Sequence, residues 1–144
     1  MALVTRNHPK LTLEGARAVL AAAERRAQEI GVPMDIAVVD DGGCLLAFAR
    51  MDGAKPSSVD IAINKAVSSA IRRQPSGPYL ESGEPDMRIS FGLAIGSRAR
   101  QTPLRGGLPL IVDGQCAGAI GVSNGSEEQD LDVARVGASA LDGA

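Results

Sequence analysis

The spacing of apolar residues along this chain switches between a helical and a strand period. Leu13, Ala16, Leu20, Ala23, Ala27 and Ile30 recur every three or four residues and predict one amphipathic helix from about Leu13 to Ile30. Thr12 is placed to cap its start, Glu14 suits the first turn, and Gly31 followed by Pro33 stops it. The period then shortens. Asp35–Val39 and Cys44–Arg50 read as two strands of a hairpin around Asp41-Gly42-Gly43. A second helix is predicted from Ser57 or Ser58 to Arg72 or Arg73. Its apolar side would hold Ile61, Ala62, Ala66 (or Lys65), Ser69 and Ala70, and Pro75 ends it.

From Gln74 to Gly107 the pattern weakens. Ser76-Gly77-Pro78, Ser82-Gly83 and Glu84-Pro85 are loop signals, and Ile89–Ile95 reads as a short helix or a strand. Regularity returns with Leu108–Val112 and Cys116–Val122 on either side of Asp113-Gly114. An Asp-Gly pair between two β-type runs predicts a hairpin, because a type I′ turn needs φ > 0 at both central residues. Ser126-Glu-Glu-Gln129 fits a capping box and opens a last helix from Glu127 to about Leu141, with Val133, Val136, Gly137, Ala140 and Leu141 on its apolar face. The order is α-β-β-α, an irregular stretch, then β-β-α. Two hairpins with flanking helices predict an α+β domain, one antiparallel sheet covered by helices in two or three layers.

Composition narrows the function classes. The chain has 144 residues, enough for one domain with a proper core, and its apolar fraction of 44% is ordinary. Aromatic residues make up only 2%, namely Phe48, Tyr79 and Phe91, so the core rests on Ala, Val, Ile and Leu. That leaves almost nothing for stacking on nucleic-acid bases, and a net charge of −2 gives no general attraction to polyanions. No run is apolar for long enough to span a membrane, and the N-terminus lacks the apolar core of a secretion signal, so the expected location is the cytoplasm. Cys44 and Cys116 then read as buried free thiols rather than a disulfide.

Three runs in sequence order, VVDDGGCLLAFARMDGA at Val38–Ala54, SSVDIAINKAVSSA at Ser57–Ala70 and GGLPLIVDGQCAGAIGVSNGSEEQD at Gly106–Asp130, resemble the GlcG/HbpS family. That family includes the C-terminal domain of PduO-type proteins. The trailing VARVGASAL also fits, so the resemblance covers most of the chain except its ends and Gln74–Arg105. It implies a single domain over residues 1–144, a profilin-like α/β sandwich with a five-stranded antiparallel sheet, and homo-oligomers from dimers to octamers. It also implies a small-molecule ligand, since some members bind haem and PduO-type domains are linked to corrinoid or haem handling. The resemblance speaks to fold better than to chemistry.

Several residues can carry chemistry, each with a plainer alternative. Arg50, at the end of the second strand, can clamp a carboxylate or phosphate with Asp52 beside it, or it can pair with Asp52 or Glu128. Lys65 can sit in a pocket and hold an anion or act as a base, or extend to solvent. Gly106-Gly107 can form an anion nest or a simple turn. Glu127, Glu128, Asp130 and Asp132 crowd the start of the last helix. They can complement its dipole, or Glu128 or Asp130 can serve as a general base. Their carboxylate oxygens can also bind a metal, but no zinc site is expected, because no histidine neighbours these acids. His8, the only histidine, reads as an exposed residue on a loose arm, yet it is the one imidazole available to a haem iron.

Two functions from different classes follow. The first is an oligomeric protein that binds a small ligand: haem, a corrinoid or a small organic acid. The second is a cofactor-free isomerase, lyase or hydratase acting on a small acid. There Arg50 and the Gly106-Gly107 amides would hold the anion, and Lys65 or Glu128/Asp130 would move the proton. Both expect a concave pocket near Arg50, Lys65 and Glu128. An accessory subunit with no ligand of its own is the plainest third option.

Overall fold

The first helix forms between the caps that the sequence supplies. In the computed structural model, which describes residues 1–144, α1 spans Leu13–Ile30. The Thr12 hydroxyl oxygen accepts from the Gly15 amide at 3.0 Å, and Gly31 closes the far end in the left-handed conformation, φ 72°. Strands β1 (Asp35–Asp40) and β2 (Leu45–Arg50) form the first hairpin. A 3₁₀ turn at Pro56–Ser58 leads into α2 (Val59–Arg72). Next come a two-stranded ribbon, β3 (Leu80–Glu81) with β4 (Glu84–Pro85), and α3 (Met87–Gly96). Strands β5 (Gly107–Val112) and β6 (Gln115–Ser123) make the second hairpin, and α4 (Glu127–Ser139) ends the fold.

The two hairpins join along β1 and β6, giving an antiparallel sheet in the order β2-β1-β6-β5. Asp113 and Gly114 both have positive φ, 52° and 74°, as the Asp-Gly hairpin requires. The capping box of α4 is complete, with Ser126 accepting from the Gln129 amide and the Gln129 side chain accepting from the Ser126 amide. An antiparallel sheet flanked by helices therefore stands as read. The sheet holds four strands rather than five. The stretch left open between helix and strand, Ile89–Ile95, belongs to α3, because Asp86 caps it by accepting from the Ile89 amide at 3.0 Å.

Strand alternation builds a core on each face. Ile36, Val38, Ile120, Val122 and Leu110 point to one side and pack on α1 and α4 through Val19, Ala23, Ala27 and Val133. Ala37, Val39 and Ala119 point to the other side and pack on Ala62, Ala66, Val67 and Ala70 of α2. This second layer is thin because its side chains are small. A Cβ at Gly121 would run into the Ala62 carbonyl and the Ala66 amide, so the backbone of α2 lies almost directly on β6. That close approach positions the charged group described next.

Candidate functional site

Lys65 and Asp130 meet inside the protein. The Lys65 ammonium donates to Asp130 Oδ2 at 2.9 Å and to the Val122 carbonyl at 2.9 Å, and each side chain is only 4% exposed. Asp130 Oδ1 accepts from the Gly125 amide at 3.0 Å. One pair thus ties α2 to the end of β6, to the loop at Gly125 and to the first turn of α4. Burial pushes the Asp130 carboxyl above the usual carboxylate range, and the Lys65 ammonium opposes that rise without cancelling it. Lys65 does not extend to solvent, because α2 is pressed so close to β6 that its amine ends beneath the sheet edge.

The same packing explains Gly106-Gly107. A Cβ on Gly106 would lie 2.6 Å from the Val122 carbonyl and 2.8 Å from Lys65 Nζ, and one on Gly107 would collide with the Lys65 carbonyl. Gly106 also has φ 131°. The Gly107 amide donates to the Ser76 hydroxyl at 2.8 Å, and the Gly106 carbonyl accepts from Val122. These glycines are buried against α2 and admit Lys65 and Ser69.

Arg50 and Asp52 lie elsewhere, in an open hollow of about 420 Å³ shared with Glu24 and Gln28 of α1 and with Met51. Arg50 pairs with neither Asp52 nor Glu128; its Nη1 reaches the Ala54 carbonyl at 3.5 Å. Glu128 is exposed on α4. Of the other acids there, Asp132 holds Arg26 at 3.0 Å and Glu127 lies 3.6 Å from Arg105. The expected single pocket around Arg50, Lys65 and Glu128 is not formed: no surface hollow is lined by Lys65, Glu128, Asp130, Gly106 or Gly107. Nor are three or more His, Cys, Asp or Glu side chains gathered where they can share a metal ion.

His8 is held rather than loose. Its Nδ1 lies 2.6 Å from Gln115 Oε1 and its Nε2 3.1 Å from Asp41 Oδ2, while Lys10 donates to the same carboxylate at 3.0 Å. The N-terminal arm is therefore clasped to both hairpin ends. Lys10 first, then His8, lowers the Asp41 carboxyl below its ordinary range. Both cysteines are free, but only Cys116 is buried; Cys44 falls in the β1–β2 turn and is exposed. No helix is long and apolar enough to cross a membrane.

Two features escaped the sequence pattern. Asp35, the first residue of β1, is fully buried and neither of its carboxylate oxygens has a hydrogen-bond partner. A groove of about 430 Å³ lies between the end of α2 and the ribbon, and its cations are Arg72 and Arg105. The groove residues fall in or beside Gln74–Gly107, where no periodicity foretold that they meet.

Residues 11–139 match the family model described as haem degrading protein HbpS-like. The chain belongs to the HbpS-like family. The Escherichia coli (strain K12) protein GlcG is 39% identical over 113 residues, 78% of this chain and 81% of that protein. Among solved structures, Klebsiella pneumoniae protein ORFY superposes with a TM-score of 0.87 at 33% identity, covering 100% of this chain and 99% of that one. PduOC in its complex with haem gives a TM-score of 0.78 at 27% identity, covering 92% and 96%. As an HbpS-like protein the chain has a haem-binding relative of the same fold, and its own residues can be tested against that ligand. The only histidine has both ring nitrogens engaged, and neither of the two larger hollows offers a histidine, cysteine or methionine beyond Met51. A continuous apolar stripe remains open on α3. Met87, Phe91 and Ile95 follow one another every four residues and are 43%, 54% and 80% exposed. Met87 supplies a thioether donor on that stripe, and the exposed Arg88 lies next to it. These residues fit a planar apolar ligand with anionic substituents on an outer face.

Proposed function

We propose that this protein is a homo-oligomeric binding subunit that holds haem or a related tetrapyrrole on the α3 face, where copies meet. The observation that carries this reading is the uncovered stripe of Met87, Phe91 and Ile95. A helix with large apolar side chains pointing outward is stable in water when something covers them. The haem complex of PduOC and the family description support tetrapyrrole as the ligand class. Of the groups that the cofactor-free enzyme would use for proton transfer, Lys65 and Asp130 are bound to each other and to the backbone and Glu128 stands exposed outside any hollow, which favours binding over turnover.

Bound haem would supply its own redox chemistry. The chain would supply an apolar seat at Phe91 and Ile95, a sulfur donor at Met87 and a guanidinium at Arg88 for a propionate. The test is a haemin titration followed by absorbance, with light scattering for mass. Stoichiometric, saturable binding is expected, along with a mass above that of one chain. Phe91→Glu should abolish both, Met87→Ala should alter the Soret band, and His8→Ala should leave it unchanged. Absence of saturable binding, or its loss in His8→Ala with Phe91→Glu unaffected, would overturn the assignment.

A further inference from the structure

The groove at the end of α2 holds two arginines and no acid. Arg72 is half-buried, and all the partners of its guanidinium are neutral: Nη1 donates to the Gly77 carbonyl at 3.2 Å. The Gln74 amide, with its oxygen turned to Arg72, accepts from Nε at 3.2 Å and from Nη2 at 2.7 Å. These bonds fix the orientation of the guanidinium without neutralising its charge. Arg105 reaches the same place from the other side, since a Cβ on Gly77 would sit 3.4 Å from Arg105 Cγ. Its one acidic contact, Glu127 at 3.6 Å, is long and solvent-exposed, so it is easily exchanged for a better acceptor. Tyr79 lines the groove as well, and its hydroxyl makes no hydrogen bond within the protein. Ser76 lies at the base, where its oxygen already accepts from the Gly107 amide, which leaves the hydroxyl hydrogen free to donate.

Two guanidiniums whose partners are neutral or easily exchanged, around a space of about 430 Å³, are suited to an anionic ligand. We propose that this groove binds a small organic dianion, with acidic groups held between Arg72 and Arg105 and the Tyr79 hydroxyl as a further donor. Guanidiniums grip carboxylate and phosphate alike through paired N–H donors, so the shared chemistry is a compact doubly charged head. The site is separate from the hollow at Arg50 and from the exposed stripe of α3; it is the other side of α3, with the buried Ser90 and the half-buried Leu93, that lies near Tyr79. It uses the segment whose sequence was least regular, which is where binding loops tend to lie.

The experiment is calorimetric titration of the full-length protein with succinate, inorganic phosphate and uncharged succinamide at constant ionic strength. One saturable site per chain is expected for an anion, with no heat from succinamide. The tighter of succinate and phosphate identifies the head group as carboxyl or phosphoryl. Arg105→Gln, an exposed change that leaves α2 intact, should weaken binding about tenfold or more. Arg17→Gln removes the same charge from the exposed side of α1 and should change nothing. Arg72→Gln should also abolish binding, with folding checked by circular dichroism. No saturable anion binding, or equal weakening by Arg17→Gln and Arg105→Gln, would overturn the proposal.

Discussion

Replacing Lys65 by methionine should destabilise the protein in a strongly pH-dependent way. The substitution keeps the apolar stem of the side chain and removes the ammonium. Asp130 then stays buried, its Oδ1 held by the Gly125 amide, while Oδ2 and the Val122 carbonyl lose their shared donor. Removing one partner of a buried pair costs about 3–5 kcal/mol. The carboxyl has one escape, which is to take up a proton. An unfolded aspartate ionises near 3.8, so holding it neutral at pH 7 costs about 1.4 kcal/mol for each unit above that value, or about 4 kcal/mol. This caps the charge penalty at pH 7, and at pH 5 the cap falls to about 1.5 kcal/mol.

The sign follows from which state holds the proton. Burial already raises the folded Asp130 value in the wild type, so folding favours the protonated form. Stability from this group is fully present below the unfolded value and is lost as pH rises through the folded one. Without Lys65 the folded value climbs further and the loss extends to higher pH. Urea unfolding followed by circular dichroism at pH 5, 6 and 7 measures this directly. Lys65→Met should lose about 3–4 kcal/mol at pH 7 and recover about 2 kcal/mol or more of that at pH 5. The double variant Lys65→Met/Asp130→Asn should be more stable than Lys65→Met at pH 7, because no carboxylate remains to be neutralised. A loss below about 1 kcal/mol at pH 7, or a penalty independent of pH, would show that the pair is not the buried tie described here.

Other consequences are simpler to state. Asp35→Asn should raise stability at pH 7 by about 1–2 kcal/mol in the same urea assay, since the wild-type carboxylate is buried without a hydrogen-bond partner. Burial raises the Asp35 value, with Arg50 in opposition, so the gain should vanish as pH falls toward the ordinary carboxylate range. Gly121→Ala forces α2 off the sheet and should cost about 3 kcal/mol or prevent folding. Gly114→Ala meets no neighbour and should cost only the left-handed backbone strain, about 1–2 kcal/mol; equal losses in the two glycine variants would contradict the packing argument. An aromatic disulfide reagent should titrate Cys44 alone in the native state, because Cys116 is buried and burial pushes its thiol up.

What the sequence disclosed depends on how far apart the interacting residues lie. The caps of α1 and α4 and the Asp113-Gly114 turn are local, written within a few residues, and each is found where its motif stands. Lys65 and Asp130 are 65 residues apart in the chain, and nothing within either helix names the partner. A lysine beside an apolar stripe ordinarily reaches solvent. Here Ala62, Ala66 and Gly121 remove the thickness that would let it do so, so burial of the ammonium results from small residues on its own helix meeting a glycine of β6. Gly106-Gly107 carries the same lesson. Paired glycines are compatible with a ligand nest, but what approaches them here is the protein's own helix. The Arg72–Arg105 groove reverses it: its lining is irregular chain, so no period marks it, and its chemistry becomes visible only once α2 and the ribbon are placed side by side. In this fold, regular segments hide charged groups by packing closely, and the irregular stretch between them leaves arginines open. A ligand with anionic groups should therefore be sought along residues 72–105 and the adjoining face of α3, rather than at the buried lysine that most resembles a catalytic residue.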